Sequence, residues 1–185
     1  TMIGSIILGM GVPTTAQYII TSTLAAPALA QMGVPMMSAH LFCLYFGVLA
    51  DVTPPVALAT YAASGIARSN PMKTGFTALV TAVAGFLVPF MFVYNPYLLL
   101  KGDILHIILG CFTALIGILG LSAGVQGYLV HDLNVAERAL LLGVPFLIIY
   151  PTLTTNVIGV LIIAAIYALQ KRMGKKKMKL EGGAV

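Results

Sequence analysis

Residues that could do chemistry are sparse in this chain, and most fall in two short runs. The first is Ala50-Asp51-Val52-Thr53-Pro54-Pro55. Proline has no amide hydrogen, so Pro54 and Pro55 leave the carbonyls of Ala50 and Asp51 without the donors a helix would supply. Two freed carbonyls, the Thr53 hydroxyl and the Asp51 carboxylate make an oxygen-rich spot suited to a hard monovalent cation. A carboxylate inside an apolar stretch costs at least ~2.5 kcal/mol to insert into a bilayer, so it usually has a task. A plain proline kink is the simpler alternative for the pair. The alternative for Asp51 is a proton carrier or a salt bridge to another helix.

The second run is Gly9-Met10-Gly11-Val12-Pro13-Thr14-Thr15. Its glycines permit close backbone approach, and Thr14 and Thr15 open a helix whose amide-rich end attracts anions such as a carboxylate. A dinucleotide loop is excluded, since no strand precedes the run and no βαβ unit contains it. The simpler alternative is an ordinary helix–loop–helix cap. His40, His106 and His131 are isolated, and Cys43 and Cys111 lie in apolar runs without metal-ligand spacing, as free buried thiols do. No Ser-His-Asp set, paired carboxylates or ligand cluster occurs. The expectation is therefore no enzyme, no catalytic residue, no cofactor, and no metal beyond a sodium ion at the first run.

The elements that position these runs follow from composition. Of 185 residues, 59% are apolar and only 8% charged, with a mean hydropathy of +1.01. A soluble domain carries roughly a quarter charged residues. The chain reads as an all-α polytopic membrane protein; a soluble enzyme, a nucleic-acid binder and a secreted disulfide scaffold are excluded. Charge is concentrated at the end, where Lys171, Arg172, Lys175, Lys176, Lys177 and Lys179 face only Glu181. Elsewhere Arg68, Lys73, Lys101 and Arg138 balance Asp51, Asp103, Asp132 and Glu137. Such a tail is a cytoplasmic stop signal that also touches anionic membrane lipid. The start, apolar from Met2, has no basic region or cleavage site of a signal peptide and reads as if cut from a longer polypeptide.

Spanning a bilayer takes about 20 helical residues. Residues 1–31 fit a re-entrant hairpin around the glycine tip, or equally the end of one helix, a loop and an ordinary span over 14–31. The stretch 38–67 is a helix broken at Thr53-Pro54-Pro55. Residues 75–94 and 104–130 are good spans, joined by a loop whose Tyr94 and Tyr97 suit an interfacial belt. The apolar stretch 139–170 covers roughly 48 Å as helix, too long for one upright span, and breaks at Tyr150-Pro151-Thr152. Arg68 and Lys73 mark one side of the membrane as cytoplasmic, and the basic tail marks the same side. Parity then requires 139–170 to cross an even number of times, as two shortened helices or a re-entrant pair. It also places the hairpin's open ends, near Thr1 and Met32, on the periplasmic side.

The run 9–16, Ala39-His40-Leu41-Phe42, Ala50-Asp51-Val52-Thr53-Pro54-Pro55-Val56-Ala57 and Phe90-Met91-Phe92-Val93-Tyr94-Asn95-Pro96, in this order, resemble the large membrane subunit of tripartite ATP-independent periplasmic (TRAP) transporters. The likeness is to the DctM-like fused permease paired with TAXI-class binding proteins, strong over about 2–100 and weaker beyond. It implies an elevator-type secondary transporter built from two inverted repeats, each with a re-entrant hairpin and a broken helix. Residues 1–100 match the second repeat, with hairpin 1–31, broken helix 38–67 and helix 75–94. Residues 101–170 resemble extra C-terminal membrane helices, and 171–185 form the basic cytoplasmic tail. The resemblance implies import of a small organic acid, sodium coupling, and residence in the bacterial inner membrane. Gly9, Gly11, Thr14, Thr15, Thr53 and Pro54 fall on motif positions. Asp51 is adjacent to the motif; taken with the residue reading above, sodium is expected at Gly9, Gly11, Ala50, Asp51 and Thr53, and substrate at Thr14, Thr15, Pro54 and Pro55. The implied partners are a periplasmic substrate-binding protein and an N-terminal part of the permease carrying the first repeat and the small-subunit helices, which these residues lack.

Overall fold

A computed structural model describes residues 1–149 and 152–181, and within them the chain is all-α. The described residues form nine helices: α1 Met2–Gly9, α2 Thr14–Gln31, α3 Met36–Leu49, α4 Leu58–Ala67, α5 Pro71–Thr81, α6 Val83–Tyr94, α7 Ile104–Gln126, α8 Val135–Ile148 and α9 Leu153–Glu181. They fall into two compact units, Thr1–Gly102 and Asp103–Val185. Among the described residues α7 and Thr154–Lys171 of α9 are long and apolar enough to cross a membrane. The pair α5 and α6 adds a third span if counted as one, although it bends by 40°. Together with the shorter apolar helices α3 and α4, this is a polytopic membrane protein.

The first unit is built around α3. Its buried residues Ser38, Ala39, Phe42, Cys43, Phe46 and Gly47 recur at helical spacing and form one stripe. Phe42 and Phe46, one turn apart with centroids 4.7 Å from each other, meet Phe86 and Phe90 of α6 at 5.2 to 6.2 Å, mostly edge to face. Ser38 donates to the Phe92 carbonyl at 2.9 Å, which Pro96 has deprived of its helical donor. On the other side of α3 lie the arms of a helical hairpin. Ala26 and Leu29 of α2 share the core with Met2 and Ile6 of α1, so the arms run side by side and in opposite directions. At eight residues, α1 is about 12 Å long and far too short to span.

The expected helix over 75–94 begins four residues earlier, at Pro71. Asn70 caps it by accepting the Lys73 amide at 3.1 Å, and Pro71 occupies the first turn, where its missing amide costs nothing. It is also not continuous: Ala82, at φ −82° and ψ 1°, ends one ladder and starts the next through a tightened turn to Gly85.

In the second unit, glycines let the helices approach closely, as small residues do in membranes. A Cβ on Gly124 would meet Leu141 and the Leu142 amide at 3.1 to 3.3 Å, one on Gly120 would meet Ile163 at 2.7 Å, and one on Gly117 would meet Ile148 at 3.2 Å. Arg138 closes the end of α7 by donating to the Gly124 and Val125 carbonyls at 2.8 and 2.9 Å. Buried Gln170 of α9 accepts from the Val130 and His131 amides at 3.1 and 3.2 Å and donates to Glu137 at 3.1 Å, which ties the α7–α8 loop to α9. The expected break of the 139–170 stretch at Tyr150-Pro151 lies outside the described residues. The helices on either side are unequal: α8 has 14 residues, whereas α9 holds a full span.

Phe46 is wholly buried while Phe112 of α7 is 56% exposed on an apolar helix surface. Phe46→Ala should lower unfolding stability by about 3 kcal/mol through lost packing, whereas Phe112→Ala should change it little. Thermal unfolding of both variants in detergent checks this contrast.

Candidate functional site

Three helix ends meet where the first unit leaves regular structure. A Cβ built on Gly9, the last residue of α1, would lie 2.8 Å from the Gly47 carbonyl oxygen and 3.1 Å from the Ala50 methyl. Only glycine fits there, because the closest obstacle on α3 is backbone. Gln17, in the first turns of α2, spans the gap: its side-chain amide donates to the Gly9 carbonyl. Its stem packs on Gly47, with Cγ 3.3 Å from where a Cβ would stand. Gln17 is 1% exposed, and its Oε1 has no donor among the described residues. A buried acceptor without a partner is costly.

Beyond Gly9 the chain turns through Gly11, whose φ of +74° suits glycine. A Cβ on Gly11 would stand 3.5 Å from Val56, so the hairpin tip rests on the helix break. The break itself starts with a tight turn over Ala50–Val52. That turn alters the expected pattern of free carbonyls. The Thr53 amide reaches back only three residues, to the Ala50 carbonyl at 3.1 Å, and the Thr53 hydroxyl covers the Leu49 carbonyl at 2.7 Å. Ala50 is therefore not freed, and Asp51 alone keeps a carbonyl whose helical donor would have been Pro55. Among the described residues no ion pair involves the half-buried Asp51.

The prolines then part. Pro54 lies against α5, 3.2 Å from where a Gly75 Cβ would be, and the Pro55 carbonyl accepts the Tyr61 hydroxyl at 2.7 Å. Their peptide bond is cis. Ala57, fully buried at φ 36° and ψ 48°, swings the chain into α4. Its methyl cannot cap a helix, and Pro13 before α2 cannot either. Both helices thus begin with uncapped amides, and both starts lie within three residues of the Gly11–Val56 contact. Thr14 and Thr15 are exposed on the first turn of α2.

The structure thus brings Gly9 to Ala50 and Gly11 to Val56, and sets Asp51, Thr53 and Pro54 in the segment beneath the tip. Thr14 and Thr15 offer backbone amides rather than side-chain contacts, and Pro55 turns toward Tyr61. Sequence reasoning missed Gln17, whose signal was an amide side chain one turn before Thr21 near the start of α2. His40 is not isolated, since the Tyr18 hydroxyl lies 2.9 Å from its Nδ1, and His106 pairs with Asp103 at 3.4 Å. Both cysteines are free, and among the described residues no group of histidine, cysteine and acidic side chains could hold a metal.

This tip-on-break arrangement occupies the part of the chain that a family model recognises. The model described as tripartite ATP-independent periplasmic transporter, DctM component, matches residues 1–107. The chain belongs to this TRAP transporter family. No curated protein and no solved structure matches it. A DctM component is a transport permease of the membrane and not a member of an enzyme class. The match covers all of the first unit, including every residue of the tip and the break.

Within α1, a Cβ placed on Gly4 would meet nothing within 4 Å, in contrast to one on Gly9. Gly4→Ala should therefore be neutral or stabilise by up to about 1 kcal/mol through helix propensity, while Gly9→Ala should cost roughly 1–3 kcal/mol by forcing α1 off α3. Equal thermal stabilities of the two variants in detergent would contradict the close approach.

Proposed function

We propose that this chain forms the second-repeat portion of a TAXI-type fused TRAP permease, which imports a small organic acid with sodium. The observation that carries the reading is the seating of the hairpin tip on the helix break. The unpartnered Gln17 oxygen and the Asp51 carboxylate, which forms no ion pair among the described residues, accompany that contact, and so do two uncapped helix starts. Carbonyl, hydroxyl and carboxylate oxygens suit a hard cation, and helix amino-termini suit a carboxylate. Bound sodium would draw tip and break together and so order the amide ends of α2 and α4 for the anion. This couples ion to substrate without proton transfer. Irregular backbone at membrane depth is tolerated where it lines such a cavity, and broken helices build transporter sites of this kind.

In this reading Gly9, Gly11, Asp51 and Thr53 serve the ion, with Gln17 added and Ala50 acting through its methyl contact with Gly9. The amides of Thr14 and Thr15, and the segment at Pro54 and Pro55, serve the substrate. The first repeat and the small-subunit helices supply the rest of the site, and the two repeats move as an elevator. A periplasmic binding protein delivers solute at the open ends near Thr1 and Met32. The Gln170 clamp holds the α7–α8 loop at the same end of the second unit as the start of the basic tail. That pairing agrees with a cytoplasmic C-terminus in a bacterial inner membrane.

The test is uptake of candidate organic acids by the full-length permease with its binding protein in liposomes under a sodium gradient. Thr53→Val and Gly11→Val should each weaken sodium-driven uptake at least tenfold. Asp51→Asn should transport with poorer sodium affinity and little new pH dependence. Wild-type sodium dependence in Thr53→Val and Gly11→Val would overturn the ion site. Uptake that follows a proton gradient and loses it in Asp51→Asn would assign coupling to protons. No uptake of any acid by the intact assembly would favour a membrane scaffold.

A further inference from the structure

The second unit carries a feature that transport at the tip and break does not use. Between α7 and α9 lies an apolar cleft of about 280 Å³ walled by Ile116, Leu119, Leu129, Val160, Ile163 and Tyr167. Both helices are the ones long and apolar enough to cross a bilayer, so the cleft lies at the depth of lipid acyl chains. Leu119 is 65% exposed, which leaves its mouth open sideways. One end of the cleft is chemically marked. There Tyr167 presents its ring to Lys171, whose Nζ lies 5.8 Å from the ring centroid. Lys171 is the last residue of the spanning stretch and the first of the basic run that continues through Lys179.

Gln170 and the Asn134 amide both bond to Glu137 Oε2, and among the described residues no ion pair forms between Lys171 and Asp132 or Glu137. A hydrocarbon slot that ends at an unpaired cation at the membrane surface has the chemistry of one molecule, an anionic phospholipid. We propose that the cleft between α7 and α9 is a binding site for such a lipid, with an acyl chain along Leu119 and Ile163 and the phosphate at Lys171. The cation–π contact holds Lys171 over the slot, and the basic residues after it add long-range attraction. This inference is independent of the ion and substrate assignment at the tip.

Native mass spectrometry of the detergent-purified full-length permease, supplied with phosphatidylglycerol or phosphatidylcholine, tests it. The wild type should retain phosphatidylglycerol in preference to phosphatidylcholine. Lys171→Gln should reduce that preference about fivefold, the factor one lysine near an anionic surface supplies. Ala164, exposed on the cleft wall, can be enlarged without touching the core, and Ala164→Phe should abolish retention of either lipid. Equal retention of the two lipids by the wild type, or wild-type retention in Ala164→Phe, would overturn the site. A preference lost on removing residues 172–185 but unchanged in Lys171→Gln would assign it to the tail and overturn the cleft as well. Because Lys171 is exposed and Gln is a good helix former, Lys171→Gln remains informative even if Ala164→Phe misfolds.

Discussion

The close approach of α1 to α3 at Gly9 is the contact on which the first unit depends. A helix of eight residues has no membrane-spanning length to hold it, and the carbonyls of its last turn need donors from outside the helical ladder. It stays because Gly9 lets backbone meet backbone at Gly47 and because Gln17 brings a donor to the Gly9 carbonyl. Everything downstream follows from that seating. The tip turns at Gly11, lands on Val56, and thereby sets the start of α2 beside the start of α4. Behind it the aromatic seam of Phe42, Phe46, Phe86 and Phe90 gives α3 a rigid back. The first unit thus has a packed rear and, at Gln17, an under-satisfied front.

The second unit solves its packing differently. Glycines at positions 117, 120 and 124 let α7 meet α8 and α9 with little side-chain volume between them, and Gln170 and Arg138 satisfy the backbone at one end. Its buried polar groups at that end are paired, whereas at the tip of the first unit an acceptor is left open on Gln17. Buried polar atoms with partners specify structure, and those without partners point to a ligand. The family match falls on the first unit and covers the Gln17 acceptor.

Both irregular segments were legible in the sequence because proline and glycine act locally: Pro54-Pro55 must interrupt a helix, and Gly9 to Pro13 must form a tip. The all-α membrane fold was legible from hydropathy. What was not legible depended on tertiary contact. The Ala50 carbonyl looked free because helical bonding was assumed up to the prolines, and the tight turn over Ala50–Val52 reassigns the Thr53 amide to it. Gln17 looked like an ordinary polar residue until α1 was packed against it. The start at Pro71 was readable from Asn70-Pro71, yet the bend at Ala82 has no proline or glycine of its own to announce it. Whether 1–31 was a hairpin or a truncated span turned on Ala26 and Leu29 meeting Met2 and Ile6, which no local pattern encodes.

The central claim is that hairpin tip and helix break close around one cation. Its most direct measurement is the rate at which a cysteine at position 15, in full-length permease lacking Cys43 and Cys111, reacts with maleimide in liposomes containing sodium or choline. Sodium should slow labelling severalfold in the parent, and Thr53→Val should remove that protection. Equal rates in sodium and choline, or protection that survives Thr53→Val, would contradict the account.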